Sequence, residues 1–81
     1  MNCNLLKYYM RENNDTIESL AEDLKLHYNT VSLKLNGKRE FTQQEIALIS
    51  NRYNLNAEEV VKIFFKELKN EEDRSKQKFN F

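Results

Sequence analysis

Residues 16–38, with the sequence TIESLAEDLKLHYNTVSLKLNGK, constrain the fold of this chain more than any other segment. Ile17, Leu20 and Leu24 recur at intervals of three and four residues, which predicts a short helix with one apolar face. The same segment predicts a second short helix at about residues 27–35. Two amphipathic helices joined by so short a turn are expected to pack against each other.

The second predicted helix has an inward and an outward face. Val31 and Leu35 point towards the first helix, and the helix ends at Gly37, the only glycine of the chain. Glycine accepts the left-handed backbone that a helix C-terminus requires. The residues expected to face outward are His27, Tyr28, Asn29, Ser32 and Leu33.

This segment resembles the helix-turn-helix of small phage repressors and Cro proteins, the xenobiotic-response-element-like family. The residues that carry the resemblance are Leu20, Ala21, Leu24, Leu26, Val31, Asn36, Gly37 and Lys38. The family usually has glycine in the turn, where this chain has Lys25, so Lys25 must adopt an unusual backbone angle. Many members have an apolar residue at the position of Lys34, and we expect Leu35 to supply that core contact instead.

The resemblance covers residues 4–68 and implies an all-α fold, a compact five-helix repressor-like domain. The other three helices are predicted at residues 4–11, from a capping box at Thr42 and Glu45 to about residue 53, and from a cap at Asn56 to about residue 69. No segment alternates apolar and polar residues as a strand does. We expect residues 1–69 to form the DNA-binding domain and residues 70–81 a flexible charged tail.

The charge of the chain is unevenly distributed. The formal net charge is zero, which at first sight argues against a DNA partner. Residues 25–39, however, contain Lys25, Lys34, Lys38 and Arg39 and no acid. This distribution predicts positive potential around the second helix of the motif, although a solvated charged helix face would have the same composition.

The resemblance implies a sequence-specific transcriptional regulator that occupies a double-stranded DNA operator. Base contacts are expected from His27, Tyr28, Asn29, Ser32 and Leu33, where Leu33 departs from the polar residues often found at its position. Asn29 can pair with an adenine edge, and Tyr28 and Leu33 can meet thymine methyl groups. Phosphate contacts are expected from Thr16, Ile17, Asn36, Lys38, Arg39 and Thr42. His27 can donate to phosphate or remain an ordinary exposed side chain.

The last predicted helix carries more apolar surface than one core stripe requires. A surface for a dimer or another partner is expected from Val61, Phe64, Phe65 and Leu68. Burial of all the apolar residues of this helix in the monomer core is the alternative. We expect the partner to be a second copy, because symmetric dimers dominate among oligomers.

The remaining features exclude other classes of protein. The single cysteine, Cys3, and the single histidine belong to no catalytic motif, and we expect no enzyme, cofactor, metal or small-molecule ligand. No apolar run approaches the ~20 residues of a membrane span, and no signal peptide is visible, so we expect a cytoplasmic protein. The rival hypothesis is a protein-binding module, an antirepressor or inhibitor that reuses the helix-turn-helix fold.

Overall fold

The computed structural model describes residues 1–65, which form five helices and no strand. The helices are α1 (Cys3–Glu12), α2 (Ile17–Leu24), α3 (Tyr28–Leu35), α4 (Gln43–Arg52) and α5 (Ala57–Phe64). The prediction of an all-α, five-helix fold is confirmed. The predicted continuation of the last helix to residue 69 and the predicted tail at residues 70–81 lie outside the described residues. None of the five helices is long and apolar enough to cross a membrane.

The five helices pack in a closed ring in which each contacts two others. α3 packs against α1 and α2, α2 also packs against α4, α4 against α5, and α5 against α1. The buried apolar side chains inside this ring come from all five helices and two of the connections: Leu6, Met10, Leu20, Ala21, Leu24, Val31, Leu35, Phe41, Ile49, Tyr53 and Ile63. α3 is therefore held by two neighbours while its remaining surface faces solvent.

Side chains cap the start of every helix except α3. Thr16 accepts from the Ser19 amide at the start of α2. The predicted caps of α4 and α5 are confirmed, and each is a complete capping box. α3 begins at His27 with no side-chain cap. Three backbone amides in its first turn consequently have no protein partner among the described residues, and the positive end of the helix dipole is open to solvent.

Four helices end in the same way, with one residue in the left-handed region. These residues are Asn14 (φ 53°), Lys25 (φ 59°), Gly37 (φ 78°) and Asn54 (φ 57°). In each case the next amide bonds back to a carbonyl five residues earlier, as from Leu26 to Ala21 at 2.9 Å. Asparagine and glycine tolerate this conformation, but lysine does not favour it. The unusual backbone angle expected at Lys25 is confirmed.

Lys25→Gly is expected to stabilise the protein by roughly 0.5–1 kcal/mol, because glycine relieves the left-handed strain but loses more chain entropy on folding. Lys25→Ala is the matched control, since it removes the same charge but keeps the strained Cβ. Thermal or urea unfolding of both variants measures the effect. Equal stability of the two variants would show that the turn is not strained at this residue.

Candidate nucleic-acid interface

α3 buries one face and exposes the other. Val31 and Leu35 lie in the core, as the sequence predicts. The predicted base-reading residues lie on the other side: His27 and Asn29 are exposed, Tyr28 is 48% exposed, Leu33 is 39% exposed and Ser32 is half-buried. The structure therefore brings four of these residues to one solvent-facing strip of α3, in which Ser32 is the least exposed, while His27 precedes the helix. We call Tyr28, Asn29, Ser32 and Leu33 the α3 strip.

Lys34 does not contribute to the positive surface that the sequence predicts. Its side chain is only 8% exposed, and its Nζ lies 2.6 Å from Glu45 Oε1 and 5.8 Å from the centre of the Phe41 ring. Only three of the four cations of residues 25–39 therefore contribute to the surface around α3, because Lys34 is buried and paired. Lys25, Lys38 and Arg39 carry the positive charge that remains exposed around α3.

The Glu45 carboxylate connects the end of α3 to the start of α4. Its Oε1 accepts from Lys34 Nζ and also from the Thr42 amide at 3.0 Å, while Thr42 Oγ1 accepts from the Glu45 amide at 3.1 Å. Burial raises the pKa of Glu45, but the hydrogen bonds and charge of its partners outweigh that and hold the pKa below its ordinary value. Glu45 thus holds the loop at residues 36–42 from both sides, through Lys34 before the loop and Thr42 at its end. The Thr42 amide therefore already has a hydrogen-bond partner within the protein.

The exposed cations lie at the two ends of α3. Lys25 precedes the helix, while Lys38 and Arg39 follow it, and none of the three has a side-chain partner among residues 1–65. The Lys38 amide donates to the Leu33 carbonyl at 2.9 Å, which fixes the start of the basic loop against the helix. These positions suit groups that contact phosphates on either side of a groove.

Asn36, a predicted phosphate contact, is partly engaged by contacts within the protein. Its Nδ2 donates to the Ser32 carbonyl at 2.8 Å, and its Oδ1 accepts from Lys7 Nζ at 2.9 Å. Lys7 thereby adds a cation from α1 to this end of α3. Sequence reasoning missed Lys7, and no local pattern could have found it, because it is 29 residues away from Asn36.

The start of α2 offers less to a phosphate than the sequence suggests. The Thr16 amide donates to Asp15 Oδ1 at 2.9 Å, so it is not available to a phosphate. The Ile17 amide, at the first position of the helix, has no hydrogen-bond partner within the described residues. Ile17 therefore remains the stronger backbone donor of the two.

A shallow groove of about 580 Å³ lies between the start of α2 and the start of α3. Its lining residues are Thr16, Glu18, Ser19, Ala21, Glu22, Leu26 and Tyr28. Tyr28 of the α3 strip thus lies in the same groove as Thr16, one of the predicted phosphate contacts. Glu18 and Glu22 also place negative charge there, so attraction for phosphate has to come from the basic groups at the ends of α3.

Arg52 of α4 holds the start of α2 in place. Its guanidinium donates two hydrogen bonds to Asp15, at 2.7 and 2.8 Å, and a third to Ser19 Oγ at 2.7 Å, and Tyr53 Oη also donates to Asp15. The bonds from Arg52 outweigh burial and, with those from Tyr53 and the Thr16 amide, lower the pKa of Asp15 from 3.8 to about 2. No local sequence pattern singles out Asp15, because Arg52 lies 37 residues away.

Asp15→Asn is expected to lower the free energy of unfolding by about 2 kcal/mol at neutral pH, the linkage value of the lowered pKa. Because the folded-state pKa lies below the unfolded one, this stabilisation is complete above about pH 5 and is lost as the pH falls from about 4 towards 2. Urea unfolding of wild type and variant across this range measures it. Asp23→Asn is the control, since that carboxylate is 40% exposed and its loss should matter little. If the difference in the free energy of unfolding between wild type and Asp15→Asn does not become smaller below pH 4, the lowered pKa of Asp15 is contradicted.

The predicted dimer surface on α5 is partly used within the monomer. The Phe64 ring is half-buried and packs edge-on against Phe41, with 6.0 Å between the ring centres. Part of the Phe64 ring is thus used inside the monomer, where it covers Phe41. Val61 and Phe65 are each 39% exposed, and Leu68 lies outside the described residues. The alternative of complete burial is wrong for Val61 and Phe65.

Comparison of the chain with protein-family models, with curated proteins and with solved structures finds no match in any of the three. Within residues 1–65, no group of three or more His, Cys, Asp or Glu side chains is placed to hold a metal ion. The function of the chain is therefore inferred from the α3 strip and the cations around it.

Proposed function

We propose that the protein is a sequence-specific DNA-binding transcriptional regulator of the phage repressor and Cro type, which acts in the cytoplasm by occupying an operator as a dimer. The observation that carries this proposal is the exposed α3 strip, bounded at both ends of the helix by the exposed cations Lys25, Lys38 and Arg39. Contact with a polyanion would use both these cations and the apolar and amide-bearing helix face between them.

In this proposal α3 enters the major groove, whose width of about 12 Å admits a helix. The α3 strip meets the base edges. Lys38, Arg39 and Lys7 approach phosphates at the C-terminal end of the helix, while Lys25 and the uncapped amides of the first turn approach them at the other end. Occupancy of the operator then blocks or redirects transcription.

The proposed dimer pairs two copies through α5 and its C-cap, where Val61 and Phe65 are large exposed apolar side chains. A two-fold axis would place the two α3 helices on the same side of the DNA. Half-sites are then expected as inverted repeats about one helical turn, ~10 base pairs, apart.

Selection of bound duplexes from a random DNA library, followed by sequencing and carried out at two salt concentrations, tests the proposal. An enriched inverted repeat, with affinity that falls steeply as salt rises, is the expected result, because phosphate contacts release counterions. Absence of enrichment together with salt-insensitive retention would contradict it.

The second candidate function is a protein-binding module with the same fold, an antirepressor or an enzyme inhibitor. Two observations favour it: the carboxylates of Glu18 and Glu22 in the groove beside α3, and the exposed Val61 of α5 with Phe65 at its C-cap. An apolar protein contact changes little with salt, so the same selection experiment separates the two functions.

A further inference from the structure

We infer that α3 reads A·T base pairs, and that Leu33 and Tyr28 distinguish thymine from the other bases through its 5-methyl group. This inference rests on the proposed function, and it names the class of DNA sequence that the protein binds. It is supported by the set of side chains that α3 exposes and the set that it buries.

The exposed surface of α3 has no charged side chain. The helix contains one charged residue, Lys34, and that side chain is buried in the ion pair with Glu45. Guanine is read most often by Arg or Lys, which donate to its O6 and N7, and cytosine is read by Asp or Glu, which accept from its N4. α3 therefore lacks the usual groups for reading a G·C pair. Lys25, Lys38 and Arg39 lie beyond the ends of the helix.

Asn29 supplies the group that reads adenine. A carboxamide makes two hydrogen bonds to the N6 and N7 atoms of an adenine edge. The side chain of Asn29 is exposed and makes no hydrogen bond to the protein among residues 1–65, in contrast to Asn36, whose amide is held by Lys7 and Ser32. Asn29 can thus turn its full donor and acceptor pair towards a base.

Leu33 and Tyr28 supply an apolar surface on either side of Asn29. The core face of α3 is already filled by Val31 and Leu35, so their exposure is not needed for folding. Leu33 follows Asn29 by four residues, about 6 Å or one turn along the helix, so the two side chains lie on the same face of α3. The thymine methyl is the apolar group that the major groove presents. His27 lies before the first turn of α3, outside the α3 strip.

Replacement of thymine by deoxyuridine tests the inference, because it removes only the 5-methyl group and preserves base pairing. The DNA is the duplex enriched in the selection described above, substituted one position at a time. We expect A·T pairs at the positions that face α3, and a loss of about fourfold in affinity for each contacted methyl, the value of one buried methyl-sized group. In Leu33→Ala, the thymine and uracil duplexes are expected to bind equally at the position that Leu33 contacts.

Leu48→Ala is the matched control, because Leu48 is 38% exposed, as Leu33 is, but lies on α4. This variant should keep the full preference for thymine. Enrichment of G·C pairs opposite α3, or equal affinity of wild type for thymine and uracil duplexes, would overturn the inference and leave DNA binding intact. Failure to enrich any sequence would instead refute the proposed function itself.

Discussion

Glu45→Gln is expected to lower the free energy of unfolding by about 3 kcal/mol, the cost of leaving a buried charge without its partner. Glutamine at this position still completes the capping box with Thr42, so the change removes the negative charge and little else. The Lys34 ammonium would then remain 8% exposed, with the Phe41 ring as its main neighbour. Urea unfolding at neutral pH measures the loss.

Glu59→Gln is the control for this experiment, because Glu59 occupies the same position in the capping box of α5 and contacts no lysine. Its effect should stay within about 1 kcal/mol, the value of a single neutral hydrogen bond. Addition of Lys34→Met to Glu45→Gln should restore most of the lost stability, since an apolar side chain of similar length needs no counterion. Equal losses in the Glu45 and Glu59 variants would show that the ion pair is not buried in solution.

Asn29→Ala is expected to weaken binding to the selected operator by about tenfold to a hundredfold, the value of a bidentate contact between a side chain and a base. Binding to unrelated DNA should not change, because that binding depends on phosphate contacts alone. Titration of the variant with both duplexes at one salt concentration measures the ratio of the two affinities. An unchanged ratio would remove Asn29 from the base-reading residues.

Arg39→Ala is the contrasting variant, since Arg39 is exposed in the loop after α3 and has no protein partner among residues 1–65. It should weaken binding to both duplexes by the same factor and reduce the salt dependence by about one charge. The two variants together separate base reading from phosphate contact. A selective loss of operator binding in Arg39→Ala would mean that this arginine reads a base.

The elements of the fold were predictable because their signals are local in sequence. The apolar spacing of Ile17, Leu20 and Leu24 fixes the inward face of α2, and Thr42 with Glu45 identifies the start of α4 from residues three positions apart. Gly37 marks the end of α3 because its left-handed backbone suits no other residue as well. The exposed side of α3 followed from the same periodicity.

The polar contacts that shape the candidate interface could not be predicted in this way. Lys34 looked like a surface cation because its burial depends on a partner 11 residues away and on Phe41. Asp15 and Arg52 meet across 37 residues. Such pairings depend on how α4 crosses α2 and α3, and hydrophobic periodicity carries no information about that crossing.

The closed ring of helices has a consequence for how the domain opens. In a linear stack, a terminal helix can detach after the loss of one interface, whereas here the release of any helix breaks two. Amide hydrogen exchange in α3 should therefore require nearly the full free energy of unfolding, despite the solvent exposure of one side of the helix. Because α3 is already ordered in the free protein, a ligand can bind to it without the loss of conformational entropy that ordering a helix would require.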